Sequence, residues 1–254
     1  MTRTHSKHVR IFINGVDLSG YSRNVGELSW EFAAQPAAAY TDECSNIVPG
    51  IANIQAGPIN AFLDADTAGL FNLMSAGGLV SDVMIPIGIN AAPAAGNPVF
   101  AWEFAEAAYM AEGGGAFVNA NVSLSPSYCL ASLTYNKPWG YLLHAKGAET
   151  AVNAGAGIDD YGAATALGGV FCYQLFTSNG TITLKAQDAS INSDANFADL
   201  TGATSGVLAS AAVTPKYGMV ALTATQAVKR YLRWQIVLGT ATTATFALSF
   251  IRRI

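Results

Sequence analysis

The sequence predicts an all-β chain made of two β domains, the first of which carries one short helix. Apolar and polar residues alternate with a period of two in many short segments, which is the pattern of half-buried strands. Turn signals such as Asn-Gly, Gly-Gly-Gly and Pro-Trp-Gly separate these segments. Short strands separated by turns are typical of antiparallel sandwiches and barrels.

The first predicted element is a strand followed by a tight turn in the stretch VRIFINGVDLSGY, residues 9–21. Apolar residues occupy every second position from Val9 to Ile13. Asn14 and Gly15 both tolerate a positive φ, so this dipeptide favours a hairpin turn. The stretch therefore predicts a strand, a turn and a polar corner.

The second predicted strand has one apolar face and one acidic face. Its apolar face carries Leu28, Trp30 and Phe32. Its other face carries Glu27, Ser29 and Glu31. Since successive side chains of a strand point to opposite sides, this pattern predicts a half-buried strand with an acidic outer surface.

The remainder of the first domain combines a loop, a helix and three strands. Residues 33–50 contain two prolines and no alternation, which predicts a long loop, and long loops are usually functional or disordered. A short helix follows, capped by Asp64 or Asp66 and ended by Gly77. Further strands are predicted at 79–89, 98–110 and 118–125.

Pro138-Trp139-Gly140 marks the predicted domain boundary, because turn residues cluster there and basic residues return. The predicted domains are residues 1–138 and residues 139–254. The second is predicted to be an antiparallel β-sandwich. Its strand candidates are 140–146, 169–177, 180–187, 217–224, 229–238 and 244–252. Asn179-Gly180 predicts a hairpin turn between two of these strands.

Charge is distributed unevenly along the chain, whose net charge is −4. Residues 24–136 contain ten acidic residues and no Lys or Arg. A segment without positive charge cannot grip phosphates through counterion release, and it repels nucleic acid. This part of the surface is therefore either a solvated face or a face that avoids binding a polyanion.

The sequence lacks the residue combinations of an enzyme or a metal site. No nucleophile elbow, His-Glu-x-x-His motif or phosphate-binding loop is present. The three cysteines are far apart and odd in number, which predicts free thiols in a reducing compartment. No run approaches the ~20 apolar residues that span a bilayer. We therefore expect no catalysis, no cofactor, no metal and no membrane-spanning segment.

Several stretches, taken in order, resemble the major tail tube proteins of long, non-contractile-tailed bacteriophages. The opening VRIFINGVDLSGYSRNVGELSWEF is similar to the first strand, corner and second strand of that family. The stretch TDECSNIVPGIANIQAGPINAFLDAD is similar to its next loop and strand. Matching places are occupied by Thr41, Pro49, Gly50, Asp64 and Asp66. The C-terminal stretches LLHAKGAETA, NSDANFADL and VKRYLRWQIVLGTATTATFALSFIRR resemble an extra sandwich domain of some members.

The resemblance implies a structural virion protein. Such subunits form hexameric rings that stack into a hollow tube, and inner strands of six subunits join into one closed β-barrel. Double-stranded DNA passes through the lumen without specific binding. The partners implied are further copies of the chain and other tail proteins, such as the tape measure and terminator proteins. The implied location is the virion tail, after synthesis in the cytoplasm of the bacterial host.

Two sets of site residues follow from this resemblance. The long loop is expected to contact the neighbouring ring, as is the N-terminal arm. Candidate inter-ring loop residues are Tyr40, Thr41, Asp42, Glu43 and Asn46. Acidic side chains on strand faces that point away from the core are expected to line the lumen. Candidate lining residues are Glu27, Glu31, Asp82 and Glu103.

The alternative function is a binding module, either a capsid decoration protein or a lectin-like carbohydrate-binding module. Its support is the sandwich-like C-terminal half, because such sandwiches often bind sugars. Aromatic residues clustered in polar loops would favour it. The tryptophans are Trp30, Trp102, Trp139 and Trp234. They lie mostly in strand patterns, which predicts that they pack in the core.

Overall fold

A computed structural model of the chain describes residues 6–20, 22–36, 47–62, 81–104, 107–114, 117–124, 137–159, 164–210 and 216–253. Within these ranges the chain forms seventeen strands and two 3-10 helices of three residues each. The strands are β1 (Phe12–Ile13), β2 (Val16–Asp17), β3 (Ser22–Pro36), β4 (Ile47–Phe62), β5 (Ser81–Pro86), β6 (Pro98–Phe104), β7 (Ala107–Gly114), β8 (Phe117–Leu124), β9 (Trp139–Glu149), β10 (Asn153–Ala154), β11 (Ile158–Asp159), β12 (Gly169–Ser178), β13 (Ile182–Ala189), β14 (Ala198–Leu208), β15 (Lys216–Ala221), β16 (Tyr231–Leu238) and β17 (Ala244–Arg252). The helices are Ser6–His8 and Asp194–Asn196.

The strands form three antiparallel sheets. The eight-stranded sheet has the order β15-β12-β17-β9-β6-β5-β1-β2. The five-stranded sheet has the order β10-β16-β13-β14, with β11 also paired to β16. The four-stranded sheet has the order β3-β4-β8-β7. The predicted all-β fold is confirmed.

Two hydrophobic cores place the eight-stranded sheet between the other two. Along β12, Val170, Cys172 and Phe176 belong to the first core, which also contains buried residues of β4. Phe171 and Leu175 belong to the second core, which also contains buried residues of β13, β14 and β16. Because β12 is buried on both faces, its sequence GVFCYQLFTS is almost continuously apolar, whereas a strand with one wet face alternates.

The eight-stranded sheet is curled, so that β15 and β12 near one end contact β5 and β2 near the other. The ring centroids of Phe12 in β1 and Phe176 in β12 lie 5.0 Å apart. The Lys146 ammonium in β9 lies 2.6 Å from a carboxylate oxygen of Asp17 in β2. We call the line along which β12 faces β1, β2 and β5 the seam.

Several predictions for the N-terminal half are confirmed. Asn14 and Gly15 have φ values of 52° and 77° and connect β1 to β2 in a tight hairpin. Strands occur at 81–86 and 117–124, within or beside two predicted ranges. The segment 98–110 is extended as predicted, but it enters two strands, β6 and β7, of different sheets. The predicted helix between Asp64 and Gly77 lies outside the described residues.

The prediction of a loop over residues 33–50 is wrong at both ends. β3 continues to Pro36 and β4 begins at Ile47, where these two residues pair. Proline lacks the N–H that a central strand needs, so it reads as a strand breaker. At Pro49, however, β4 has left β8, whose described pairing covers only Ala56–Phe62, and a proline is tolerated in such an edge stretch. Residues 37–46 lie outside the described part.

The predicted C-terminal strands are confirmed, whereas two local interpretations are wrong. Asn179-Gly180 does not close a hairpin, because β12 and β13 belong to different sheets. The Asn179 carboxamide oxygen instead accepts hydrogen bonds from the backbone N–H groups of Thr242 and Thr243, at 2.9 and 3.1 Å. Strand β14 is not predicted, because register shifts along its pairing with β13 disturb the period of two.

Strands from both sides of residue 138 share the eight-stranded sheet. β6 pairs with β9, with Pro98 opposite Tyr141 and Phe100 opposite Trp139. After residue 138, strands β15, β12, β17 and β9 are contiguous and face the five-stranded sheet across the second core. The division of the chain into two domains, residues 1–138 and residues 139–254, stays a prediction.

Candidate functional site

The four-stranded sheet is built on a long β-hairpin. β3 and β4 pair from Ser22 opposite Ala61 to Pro36 opposite Ile47. β8 pairs only with Ala56–Phe62 of β4. Among the described residues, the first nine residues of β4 and the facing part of β3 therefore extend beyond β8 as a two-stranded arm about 30 Å long, at about 3.4 Å per residue.

The hairpin changes its inward-facing positions at Gly57. Ile54 and Ala56, at even positions, are buried before it, whereas Ile59 and Ala61, at odd positions, are buried after it. Gly57 has a φ of 126°, a backbone conformation that residues other than glycine rarely adopt. This irregularity keeps one side of the hairpin against the first core along both halves of the strand.

Both outer strands of the four-stranded sheet have free edges among the described residues. The sheet begins with β3 and ends with β7, and each has one strand partner. A free edge presents unpaired N–H and C=O groups that accept another strand unless something blocks them. Within the described part of the chain, both edges of the sheet are therefore available to a further strand.

Glu27 lies on the exposed face of this sheet. It is opposite Gly57 in the pairing and is exposed, whereas the neighbouring Leu28 packs against the first core. The predicted acidic outer face of β3 is thus confirmed at these two positions. Glu31 belongs to the same strand, opposite Asn53, but its side chain lies outside the described part.

The other two lining candidates lie elsewhere, in the eight-stranded sheet. Asp82 in β5 is directly opposite Glu103 in β6, so their side chains share one face. Asp82 is only 5 % exposed, and Glu103 is partly buried. This burial counts against Asp82 as a lining residue, because its carboxylate does not reach the surface of the chain. Among the candidates whose side chains are described, Glu27 is the exposed one, and the lining role of Glu27 and Glu31 stays a prediction.

The backbone of Asp82 is held by the turn after β1. The N–H of Asp82 donates to the Asn14 side-chain oxygen at 2.8 Å, and the C=O of Asp82 accepts from the Asn14 N–H at 3.0 Å. Gln174 of β12 completes the arrangement from across the seam. Its amide nitrogen donates to the C=O of Asp82 at 3.2 Å, and its oxygen accepts from the N–H of Gly15 at 2.5 Å.

One side-chain oxygen of Asp82, in contrast, has no hydrogen-bond partner among the described residues. This atom, Oδ1, is buried. Burial, followed by the charge of Glu103, raises the pKa of Asp82 to about 7. Burial also raises the pKa of Glu103. Because both carboxyls favour the neutral form, the pair holds a proton more readily than an ordinary carboxylate does.

Sequence reasoning missed Gln174 as a seam residue. Gln174 is 1 % exposed within an otherwise apolar strand. A buried amide has four hydrogen-bonding positions to satisfy, so it marks a place where backbone groups of another element come close. An amide interrupting an apolar run is the signal that could have identified it.

The candidate inter-ring residues Tyr40, Thr41, Asp42, Glu43 and Asn46 lie outside the described residues. Pro36 and Ile47, the described residues on either side of this segment, pair with each other at the end of the β3–β4 arm. The inter-ring role of the segment stays a prediction.

Two of the four tryptophans pack in the cores, as predicted. Trp102 is 2 % exposed in the first core and Trp234 is 6 % exposed in the second. Trp139 is partly buried, with its ring 5.2 Å from that of Phe100. The side chain of Trp30 lies outside the described part. The described tryptophans therefore do not form an exposed sugar-stacking platform.

The described residues show no group of three or more His, Cys, Asp or Glu side chains arranged to hold a metal ion. Cys172 is a free thiol, fully buried in the first core, and burial raises its pKa. None of the described helices has the length and apolar character required to cross a membrane.

No protein-family model matches the chain, and a search of curated proteins finds no match either.

Proposed function

We propose that this chain is a structural subunit of a bacteriophage tail tube, without catalytic activity, cofactor or metal. The observation that carries the proposal is the four-stranded sheet, which has two open edges, a long hairpin arm and an exposed acidic residue. An open sheet edge is an aggregation hazard in a free protein, and a closed barrel abolishes it. Repetition of this sheet around an axis supplies such a barrel.

The dimensions of such a barrel suit DNA. Four strands from each of six subunits give 24 strands. At a spacing of about 4.8 Å and a tilt of up to about 40°, 24 strands close at a backbone diameter of about 37–48 Å. Inner side chains about 5 Å deep leave a lumen of about 27–38 Å. A DNA duplex, about 20 Å across, passes through such a lumen.

The layer order favours one orientation of the subunit in the tube. The four-stranded sheet packs on one face of the eight-stranded sheet, and the five-stranded sheet packs on the other. If the first forms the wall of the lumen, the second lies on the outside of the tube. The C-terminal sandwich is then an external decoration, in a virion tail that also holds tape measure and terminator proteins.

The lumen face carries acidic charge in this arrangement. Glu27 is exposed on the face of the sheet that is turned away from the first core. Six copies in each ring, repeated along the tube, give a negative surface that repels the phosphate backbone. A conduit must not bind its cargo, so the absence of Lys and Arg from residues 24–136 fits this role.

Electron microscopy of two proline variants tests the proposal. Along an antiparallel edge strand, successive backbone N–H groups point in turn toward the partner strand and toward the free edge. Ala108→Pro and Ala111→Pro in β7 differ in this parity, so one removes a free-edge N–H and the other removes an N–H bonded to β8. We expect the wild-type protein to form rings or tubes with a central hole.

The variant that keeps the thermal stability of the wild type is the one that has lost a free-edge N–H, and we call it the edge variant. We expect it to remain monomeric. The second proline variant is the control for a damaged sheet, and we expect it to lose stability. Wild-type protein that stays monodisperse at high concentration, even with preformed tubes added as seeds, contradicts the proposal. So does an edge variant that assembles as well as the wild type.

A further inference from the structure

The seam of the curled sheet is closed by few polar contacts. Gln174 is the side chain that bonds both the turn after β1 and the backbone of β5. Asp82 accepts one of these bonds and also exchanges two hydrogen bonds with Asn14. The residue whose backbone holds the seam is therefore also the residue that carries the buried acid.

The Asp82–Glu103 pair is electrostatically incomplete among the described side chains. The other described acidic residues except Glu27 are paired with basic side chains. These are Asp17, Glu149, Asp159, Asp188, Asp194 and Asp199. Asp82 and Glu103 instead face each other across β5 and β6, with Oδ1 of Asp82 buried and unbonded. Two carboxylates placed in this way repel each other unless a proton or a cation lies between them.

The groups around the pair add no positive charge. Cys172 and Tyr173 of β12 and Tyr217 of β15 lie within electrostatic reach of Asp82, and each is neutral at neutral pH. A metal ion is a poor occupant, because the described residues supply no third His, Cys, Asp or Glu ligand. The chemistry that these surroundings fit is a proton.

We propose that the Asp82–Glu103 pair is a proton-operated latch on the seam of the curled sheet. With a proton on the pair, Asp82 stays buried and its backbone holds Asn14 and Gln174. When both carboxyls are ionised, contact with water lowers the free energy of the Asp82 carboxylate, so the side chain moves toward water. This movement displaces the backbone groups that close the seam. Raising the pH therefore loosens the contact of β5 with the turn after β1 and with β12.

The sign of the pH dependence follows from the direction of the shift. The pKa of Asp82 is raised from 3.8 to about 7 in the folded chain, so the closed seam binds the proton more tightly than an open one. The stabilisation is complete below about pH 4 and is lost as the pH rises through about 7. No described basic group opposes this trend at the pair.

Hydrogen exchange of the full chain tests the latch. Asp82→Asn keeps the shape of the side chain and removes its charge. At pH 8.5 we expect seam peptides covering residues 9–18 and 170–176 to exchange at least about tenfold faster in the wild type than in this variant. The ratio should fall by at least about tenfold at pH 5. Comparison at equal pH cancels the intrinsic dependence of exchange on pH.

Residues 182–189 and 231–238 of the five-stranded sheet are the internal control, and their exchange should be unchanged. Equal seam exchange in both proteins at pH 8.5, or an equal difference in the control peptides, overturns the proposal. If Asp82→Asn fails to fold, that failure also counts against it, because the neutral form is proposed to be the closed one.

Glu103→Gln gives an independent reading. Removal of the neighbouring charge lowers the pKa of Asp82, so the midpoint of seam opening should move to lower pH. An unchanged midpoint contradicts the coupling of the pair. Millimolar CaCl₂ that closes the wild-type seam at pH 8.5, but not the seam of Asp82→Asn, would identify a cation site and overturn the proton latch.

Discussion

After residue 138, each carboxylate whose side chain is described is paired with a basic side chain. Before it, Asp17 is the described carboxylate with such a partner, and that partner, Lys146, comes from the other side of the boundary. Glu27, Asp82 and Glu103 have none among the described side chains. The two regions therefore differ in the partners of their carboxylates: those of the C-terminal region contact Lys, Arg or His side chains of the same region, whereas these three of the N-terminal region face solvent, protons or other molecules.

The cores show the same asymmetry. Every residue of the second core lies after residue 138. The first core, in contrast, combines N-terminal residues with residues of the C-terminal strands. Its C-terminal members are Leu142, Val170, Cys172, Phe176, Ala247 and Ile251. The C-terminal region thus contains one whole core of its own, whereas the core of the N-terminal region includes residues from both sides of residue 138.

The largest expected effect comes from cutting the chain at residue 138. We expect residues 139–254 to unfold cooperatively on their own, because they retain the second core, the five-stranded sheet and the four contiguous strands β15, β12, β17 and β9 that face it. Residues 1–138 should not fold, because β6 loses its partner β9 and the first core loses six buried side chains. Circular dichroism during thermal unfolding of both fragments measures this. A cooperative transition of fragment 1–138 would instead support two autonomous domains.

Two buried glutamines, both after residue 138, compare contacts across the seam to the N-terminal region with contacts inside the five-stranded sheet. Gln174→Ala leaves the N–H of Gly15 and one acceptor site of Asp82 unbonded, which should cost about 2–4 kcal/mol. Gln187 bridges Arg233 and Asp199 in the five-stranded sheet, and each of these keeps another ionic partner. Gln187→Ala should cost about 1 kcal/mol. Urea unfolding of the full chain compares them, and equal costs would contradict the contrast.

His144 predicts a pH dependence in the C-terminal region that is opposite to that of the seam. Burial lowers the pKa of His144, although its hydrogen bonds to Glu149 and to the C=O of Phe246 favour the charged form. The neutral imidazole is therefore the folded form, and its contribution to stability is complete above about pH 6.5 and lost as the pH falls. The melting temperature of fragment 139–254 should rise from pH 5 to pH 7.

His144→Gln removes the titrating group and is the control. We expect the rise in melting temperature between pH 5 and pH 7 to be smaller in this variant. The ring of His144 stacks on that of Phe246 at 4.2 Å, so the variant also loses stability at every pH. Only the slope tests the prediction, and an unchanged slope would assign the pH dependence to other groups.

The position of His144 also shows where sequence reasoning is limited. His144 lies in β9, an interior strand of the eight-stranded sheet, and is 8 % exposed, although its local sequence does not indicate this burial. Alternation reports which residues share a face, and it predicted most strands and the β1–β2 turn correctly. It does not report which sheet a strand joins, because that depends on packing between distant segments. For the same reason Asn179-Gly180 was predicted to close a hairpin.

The candidate site illustrates the same limit. Glu27 was predicted from its own strand, where Leu28 on the opposite face identifies the buried side. Asp82 follows no such rule, since β5 is buried on both faces and its polar residue points into a seam formed by β12. Local pattern therefore identified an exposed acid correctly and could not distinguish it from a buried one. Long-range topology was the missing information.

The smallest effect on stability, and the sharpest functional contrast, is expected for Glu27→Lys. Glu27 is exposed, so the free energy of unfolding should change by less than about 0.5 kcal/mol. In assembled tubes, however, six lysines per ring replace six carboxylates at the proposed lumen, and duplex DNA should bind with a steep dependence on salt. Fluorescence anisotropy of labelled DNA across a salt series measures this.

The matched control places the same change of charge on the outside of the proposed tube. Asp194 is 95 % exposed at the five-stranded sheet, so Asp194→Lys alters the net charge equally. If Glu27 lines a confined lumen, only Glu27→Lys tubes should retain duplex DNA after washing at low salt, because DNA inside a tube contacts many rings at once. Equal retention by both variants would show that net charge alone governs binding, and would remove Glu27 from the lumen.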